Sequence, residues 1–472
     1  MSIHILDDDS LLHLFSVYRP PIFDGDEDHG DLITGGKGWE RELWWYTLTH
    51  VCQRWRNLIF GSTLHLGLCL VCTWGTPVAD MLAHSPPLPL VIDYPERNRV
   101  LTAEDEEGLM LALEQRDRVR RIRLDIPFWK LRKFIVTMDE EYPMLEYLIV
   151  SPSDEGPALM FPDTLQAPHL LQLTLIGFVI PIGSRLLTTA VGIVTLSLFM
   201  AHPSTQFQLQ WITFMPQLET LTIISFCPVP NRDVERQLMH MPIAARVTLP
   251  NLRTFIFRGV SAYLEEVLRR IITPRLAKLG IDLFNQLTFS IPRLVQFVDT
   301  TENLRFNNSE VGFLRDKLHV RVYREEDETY ILSISIFCWH LDWQVSFVAQ
   351  FFNSRSQISP AVENLALYYD VHDLSSEEHN EVDRAEWHEL LKLFNKVKTL
   401  RVDDGLVKEV SRCLRPDDGE SPPELLPELQ ELTYSGSGDT GDVFTPFINA
   451  RQKAGRPVNL VRSSSSSVTP SS

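Results

Sequence analysis

Cysteine is scarce in this 472-residue chain: six residues, too few for a disulfide framework, which points to a reducing compartment. Basic charge is short too. Lys and Arg number 44 against 62 Asp and Glu, a net charge of −18, and phosphate repulsion argues against sequence-independent nucleic-acid binding. Long apolar runs are missing. The longest weakly polar stretch, Leu186 to Ala201, contains Gly192 and Ser197 and falls short of the roughly 20 residues of a membrane span. Asp7, Asp8 and Asp9 stand where a secretory peptide needs a basic start and an apolar run. The expectation is a soluble protein inside the cell, in the cytoplasm or the nucleus, with neither a membrane nor a nucleic acid as partner.

Chemistry-bearing motifs are equally thin. Cys69 and Cys72 have metal or redox spacing, but no second pair follows and the flanks are apolar, so buried strand cysteines are expected. Thr34 to Gly38 lacks the spacing of a phosphate loop and the hydroxyl residue after Lys37. His372, Glu377, Glu378, His379, Asp383 and His388 form an acidic stretch whose His spacings of 7 and 9 do not match a helical metal pair. They read as solvated loop and helix start, and they are the sole support for a hydrolase. No nucleophile elbow, kinase set or paired-carboxylate context is recognisable. Neither catalysis nor a cofactor or metal is expected.

What is present is apolar patterning, with 44% hydrophobic residues, enough for large cores. The first 66 residues read as helices broken by one insertion. Leu6, Leu11, Leu12, Leu14 and Phe15 make a short stripe ended by Pro20 and Pro21. An acidic, Gly-rich loop follows within 20–38. A second helix is predicted from Trp44 to Phe60, with Leu48, Val51, Cys52, Trp55 and Ile59 on one face and Gly61 as a left-handed cap. Residues 67–118 read as a connecting strand and helix segment.

From 119 to 450 a unit recurs: Pro, any residue, Leu, two residues, Leu, one residue, apolar. The clearest copies lead with Leu145, Leu170, Leu218, Leu252, Leu276 and Leu429, each two residues after a proline. Copies without proline start at Val119, Ile193, Val362 and Val397. Leading positions 119, 145, 170, 193 and 218 are 26, 25, 23 and 25 residues apart. Periods of about 20–29 belong to leucine-rich repeats, each a short strand with a covering helix. The expected fold is therefore α/β: a helical N-terminus, then an irregular leucine-rich-repeat solenoid of parallel strands and helices. Between Leu276 and Val362 the spacing is lost, and Leu318 to Val322 with Tyr330 to Ile336 reads as a strand pair around an acidic turn. Residues 455–472 are Ser-rich and expected to be disordered. One basic cluster stands out: Arg116, Arg118, Arg120, Arg121 and Arg123, with Val119, Ile122 and Leu124 interleaved as in a strand exposing its arginines. It is a candidate contact for an acidic partner, or else a solvated face.

The N-terminal residues bear a family resemblance. Leu6 to Phe15 (LDDDSLLHLF), followed by His50 to Phe60 (HVCQRWRNLIF), resembles an F-box. The whole chain resembles the expanded F-box/leucine-rich-repeat families of mushroom-forming (basidiomycete) fungi. The segments that carry this are Leu68 to Pro77, Leu283 to Leu287 with Thr301 to Leu304, and Leu341 to Val345. The resemblance implies docking onto the Skp adaptor of a Skp–cullin–F-box ubiquitin ligase through three short helices, and through it onto cullin. By position, Leu6, Leu11, Leu12, Leu14, Phe15, Val51, Cys52, Trp55 and Ile59 match the motif, some docking and some holding the helices together. Two departures stand: Asp7 occupies the family's proline position, and the 20–38 insertion splits the motif. The implied function is a non-catalytic substrate receptor whose repeats bind a target protein. The competing reading is a repeat scaffold that binds a partner without recruiting a ligase.

Overall fold

The computed structural model describes residues 6–18, 44–95, 100–181, 183–200, 209–225, 246–284, 291–324, 330–352, 362–369, 384–415, 425–435 and 443–463. The insertion at 20–38 lies outside them. So do His372, Glu377, Glu378, His379 and Asp383. The chain divides into two compact units, Met1–Leu218 and Glu219–Ser472.

The first unit opens with helices α1 (Asp8–Tyr18), α2 (Trp44–Thr49), α3 (Gln53–Gly61) and α4 (Thr63–Leu66). The single helix expected from Trp44 to Phe60 is thus two. Thr47 and Thr49 turn their hydroxyls back to the carbonyls of Trp44 and Tyr46, and Cys52 is fully extended. Side chains of this kind compete with helix propagation. The left-handed cap also falls elsewhere: at Gly67, with φ of 59°, not at Gly61. Then follow β1 (Leu70–Cys72), α5 (Val78–His84), β2 (Leu90–Tyr94), α6 (Ala103–Glu114), β3 (Val119–Ile126), α7 (Phe128–Thr137), β4 (Tyr147–Pro152) and β5 (Leu159–Met160). The unit closes with β6 (Gln172–Ile176), β7 (Phe178–Val179), α8 (Arg185–Thr189) and β8 (Thr195–Met200). Strands β1, β2, β3, β4, β6 and β8 lie side by side, each parallel to the next. The sheet therefore begins at Leu70, inside the stretch expected to be a connector.

The second unit contains β9 (Thr220–Ser225), β10 (Val247–Thr248), β11 (Thr254–Gly259), α9 (Ser261–Arg270), β12 (Ile271–Ile272), β13 (Lys278–Leu283) and α10 (Pro292–Thr300). Next come β14 (Asn308–Phe313), β15 (Lys317–Tyr323), β16 (Leu332–Phe337), α11 (Leu341–Phe351) and β17 (Asn364–Tyr369). Last are α12 (Arg384–Lys392), β18 (Thr399–Val402), α13 (Asp404–Leu414), β19 (Glu431–Ser435), α14 (Thr445–Lys453) and β20 (Asn459–Ser463). Within this unit the strand order is β9-β11-β13-β16-β15-β14-β17-β18-β19-β20, and only β15 runs against its neighbours. Where the sequence period is lost, two hairpins place three strands side by side without helical crossovers. Strand β20 corrects the expectation of disorder from 455. The Asn459 N–H donates to the Gln430 carbonyl (2.8 Å), and Leu460 pairs with Leu432.

The recurring sequence unit maps onto a recurring bond pattern. Pro143, Pro168, Pro216, Pro250, Pro274 and Pro427 each hold the second position of a β-turn. The N–H of the leading Leu closes that turn onto the carbonyl three residues back, at 3.1–3.4 Å. Proline fits there because its φ is preset and it has no N–H to satisfy. The following apolar positions stack in register. Ile122, Leu148, Leu173 and Leu196 form one row in the first unit, and Leu221, Phe255, Leu279 and Leu332 one in the second. All eight are buried. Strands such as β11 and β13 alternate buried and partly exposed residues, so the sheet has one core face, against which the helices pack, and one open face.

One polar node braces the first unit. Thr102 caps α6 through a capping box with Asp105, whose other carboxylate oxygen accepts the Gly75 N–H (2.8 Å). Burial pushes the Asp105 pKa up, but the Gly75 and Thr102 hydrogen bonds, with Lys130, outweigh it and hold the carboxyl below its ordinary value. Because the folded-state value is depressed, this stabilisation is present above pH about 4 and is lost as pH falls further. Asp105→Asn is expected to cost about 1–2 kcal/mol of unfolding free energy. It should also flatten the acid limb of a chemical-denaturation series run from pH 6 to pH 3.

Candidate functional site

At the N-terminus the two halves of the split motif come together. Arg54 of α3 donates through Nη2 to Asp8 Oδ1 (2.7 Å) and to the Leu6 carbonyl (2.7 Å), and through Nε to Asp8 (3.1 Å). The rings of Phe15 and Trp55 meet edge-on at 4.9 Å. Asp7, in place of proline, caps α1: the Ser10 N–H donates to Asp7 Oδ1 (2.7 Å), and that bond lowers the carboxyl's pKa. The motif residues divide by burial. Leu11, Phe15 and Ile59 are buried and hold the helices together; Leu6, Leu12, Cys52 and Trp55 are half-buried; Leu14 and Val51 are exposed, at 46% and 57%. Five further apolar residues are exposed here that sequence reasoning did not single out: Val17, Tyr18, Tyr46, Phe60 and Leu64, the last at 95%. Their signal was an apolar residue off the helical stripe, easily read as ordinary surface.

The basic cluster, Arg116 and Arg118 in a short turn before β3 and Arg120, Arg121 and Arg123 on it, differs from expectation, because its arginines are half-buried and engaged. Arg116 pairs with Asp139 and Glu140 beside a shallow pocket of about 280 Å³ lined by Leu113, Val136 and Thr137. Arg118 donates to the Leu88 carbonyl (3.0 Å), and Arg120 pairs with Glu146 (2.8 Å). The register slips at Leu90/Val91, so Arg120 is bulged out of the ladder. Arg121 stacks on Tyr147 at 4.5 Å, and Arg123 also has a partner. These residues do not form one free basic patch. Cys69 and Cys72 are buried thiols, and burial pushes Cys72 up to about 12. Among the described residues, no group of His, Cys, Asp or Glu is placed to hold a metal ion, and no helix is long and apolar enough to cross a membrane.

The open face of the second unit carries a constellation that the repeat pattern does not mark. One row across the sheet runs Arg258, Asp282, Ser335, His319, Gly312, Tyr368; a second runs Ile256, Gly280, Ser333, Arg321, Glu310, Ala366, Arg401. The Tyr368 ring lies across Gly312, and any Cβ there would meet it at 2.3 Å. Arg321 Nε–H donates to His319 Nε2 (2.8 Å), which assigns the ring hydrogen to Nδ1, facing Ser335 Oγ at 3.3 Å. Burial, then Arg321 and Lys317, drive the His319 pKa down to about 3. The imidazole is a neutral strut that orients Arg321. Arg258 lies 5.9 Å from the Phe284 ring and 5.5 Å from Phe337, which Lys317 Nζ also approaches at 5.2 Å.

No family model matches the sequence, and no curated protein matches it. Among solved structures, the leucine-rich repeat-containing protein LegL7 from Legionella pneumophila is similar at 11% identity and a TM-score of 0.24. That match covers 82% of this chain and 98% of that one. The repeat architecture rests on the strand register and the turn pattern, not on this likeness.

A histidine with a depressed folded pKa protonates first in the unfolded chain. Stability is therefore full above about pH 6.5 and declines as pH falls toward 3. His319→Gln should remove the pH 6.5 to 4.5 portion of that decline in urea unfolding. Wild-type His319 ring resonances should show no titration above pH 4.5 by NMR.

Proposed function

We propose that this chain is a non-catalytic adaptor. Its N-terminal helices dock a Skp-type adaptor of a cullin ubiquitin ligase, and its repeat sheets hold a target protein. The observation that carries this is the helical cluster itself. Despite the insertion, Arg54 and the Phe15–Trp55 contact unite the split motif into short helices, as the F-box resemblance requires. The same cluster leaves Leu14, Val17, Tyr18, Tyr46, Val51, Phe60 and Leu64 exposed. Apolar side chains gathered at one short segment mark a protein contact, and such contacts concentrate their affinity in a few aromatic and aliphatic anchors. Asp7 supports the reading rather than weakening it, since its carboxylate starts α1 where the family's proline would.

The repeat sheets supply the second contact: an open, polar face on a rigid parallel framework. Under this reading ubiquitin transfer belongs to other subunits, and the protein works in the cytoplasm or nucleus where that ligase acts. Retention of a purified Skp-type adaptor by the immobilised full chain tests it. Leu14→Asp and Val51→Asp should each weaken retention at least tenfold while leaving the thermal midpoint within about 2 °C, because both side chains are exposed. Failure of the wild-type chain to retain the adaptor, or indifference to both substitutions, would leave only the ligase-free scaffold.

A further inference from the structure

From β11 to β18 the open face of the second unit is basic in a protein whose net charge is −18, and Glu431 stands on the same face on β19. On strands β11 to β18 it presents Arg258, Lys278, Lys317, Arg321 and Arg401, against Asp282 and Glu310 alone. Asp282 lies 3.8 Å from Lys317, and Glu310 accepts from the Tyr323 hydroxyl at 3.2 Å, so neither acid neutralises Arg258, Arg321 or Arg401 by a close pair. Arg258 Nε is buried without a hydrogen-bond partner, and its guanidinium is set between Phe284 and Phe337. Arg321 donates to its neighbour His319 on the same face of β15 and is flanked by the Tyr330 ring at 4.7 Å. Between these cations the floor carries the small side chains Gly280, Ser333, Ser335 and Ala366, together with Asp282, His319 and Glu310.

Past the carboxyl end of β16 two tryptophans are exposed: Trp339 on the connection to α11, at 61%, and Trp343 in the first turn of α11, at 38%. The junction of β16 and α11 is fixed in place. The Cys338 N–H donates to the Asp316 carbonyl (2.9 Å), and Gln344 Nε2 donates to the carbonyls of Leu314 (2.9 Å) and Cys338 (2.7 Å). Exposed tryptophans at a braced strand–helix junction that follows Phe337, the ring Arg258 and Lys317 approach, combine with these cations the residue types that dominate protein–protein hot spots.

We propose that this surface is the target-binding site, and that its occupant is an acidic, extended segment of a partner protein. The partner's carboxylates pair with Arg258, Lys317 and Arg321 over the Gly/Ser floor, and an apolar side chain packs on Trp339 and Trp343. An extended segment fits because the cations are spread over the open face in three successive rows, Lys317 opposite Phe337, Arg258 in the row of His319, and Arg321 in the next. Fork-shaped guanidiniums, one oriented by a neutral histidine, suit carboxylates better than loose ammonium groups do. This deepens the reading of the repeats as a target-binding surface and does not depend on adaptor docking.

A random dodecapeptide display library panned on the immobilised full chain tests it. Asp- and Glu-rich sequences with one aromatic or aliphatic residue should be enriched. The selected peptides should bind the Lys317→Glu and Trp339→Ala variants at least tenfold more weakly. Trp339 is exposed and Lys317 half-buried on the open face, and unchanged circular dichroism and thermal midpoint will show that the variants fold. The Leu14→Asp variant should bind them as the wild type does, which separates this result from any failure of adaptor docking. Three outcomes would overturn the proposal: no enrichment of acidic peptides, binding indifferent to both substitutions, or Asn/Gln versions of the peptides binding equally well.

Discussion

At the start of the repeat strands a single carbonyl oxygen accepts two successive N–H groups from the next coil. Glu146 and Leu171 do this in the first unit; Glu219, Arg253, Asn307, Glu363 and Lys398 do it in the second, at 2.8–3.2 Å. A carbonyl has two lone pairs, and using both satisfies the backbone where the chain turns from a loop into a strand. The constraint is exacting. Both donors must arrive from the residues just after the leading leucine, so the turn before them must end at a fixed point. Proline at the second turn position and leucine at the fourth meet that demand, one by presetting φ and the other by anchoring the turn in the core. Register, the buried rows and the identity of the open face all follow from where that turn ends.

This explains what was legible in the sequence and what was not. The rows through Leu148, Leu173 and Leu196 could be read because turn and strand keep a fixed spacing, whatever the length of the connection between them. Copies without proline, such as those led by Ile193 and Val362, still showed through their apolar spacing. Of the meander, β15 and β16 were legible as an alternating pair around an acidic turn. Hairpins carry no turn–leucine signature, so β14 and its place between β15 and β17 did not show in the spacing. Strand β20 was hidden by composition: its pairing is decided by the backbone donors of Asn459 and its neighbours, while Ser-rich sequence dominates the stretch that follows.

The charged surfaces were legible in inverse order to the core. Arginines close together in sequence, Arg116 to Arg123, drew notice as a cluster, yet the bulge at Arg120 and the acids at Asp139, Glu140 and Glu146 draw each into its own contact. Cations that do share a surface, Arg258, Lys317 and Arg321, lie far apart in the chain and become neighbours only through parallel pairing and the meander. A repeat sheet assembles its open face from one or two residues per strand, so proximity in sequence is a poor guide to proximity in space.

The meander joins the two themes. In a regular array each strand would be followed by a helix, and its open face would present only residues from parallel strands. Inserting β15 in reverse brings Lys317, His319 and Arg321 into the middle of the face on one strand, with Ser333 and Ser335 opposite them. It also sets the loop of Asp316 against the β16–α11 junction that carries Trp339. The irregularity costs the sheet nothing in hydrogen bonding, since antiparallel pairs satisfy the backbone as well as parallel ones. It concentrates charge where a strictly periodic array would distribute it. The departure from the repeat is therefore the place to look for specificity, and the regular strands on either side are what keep it rigid.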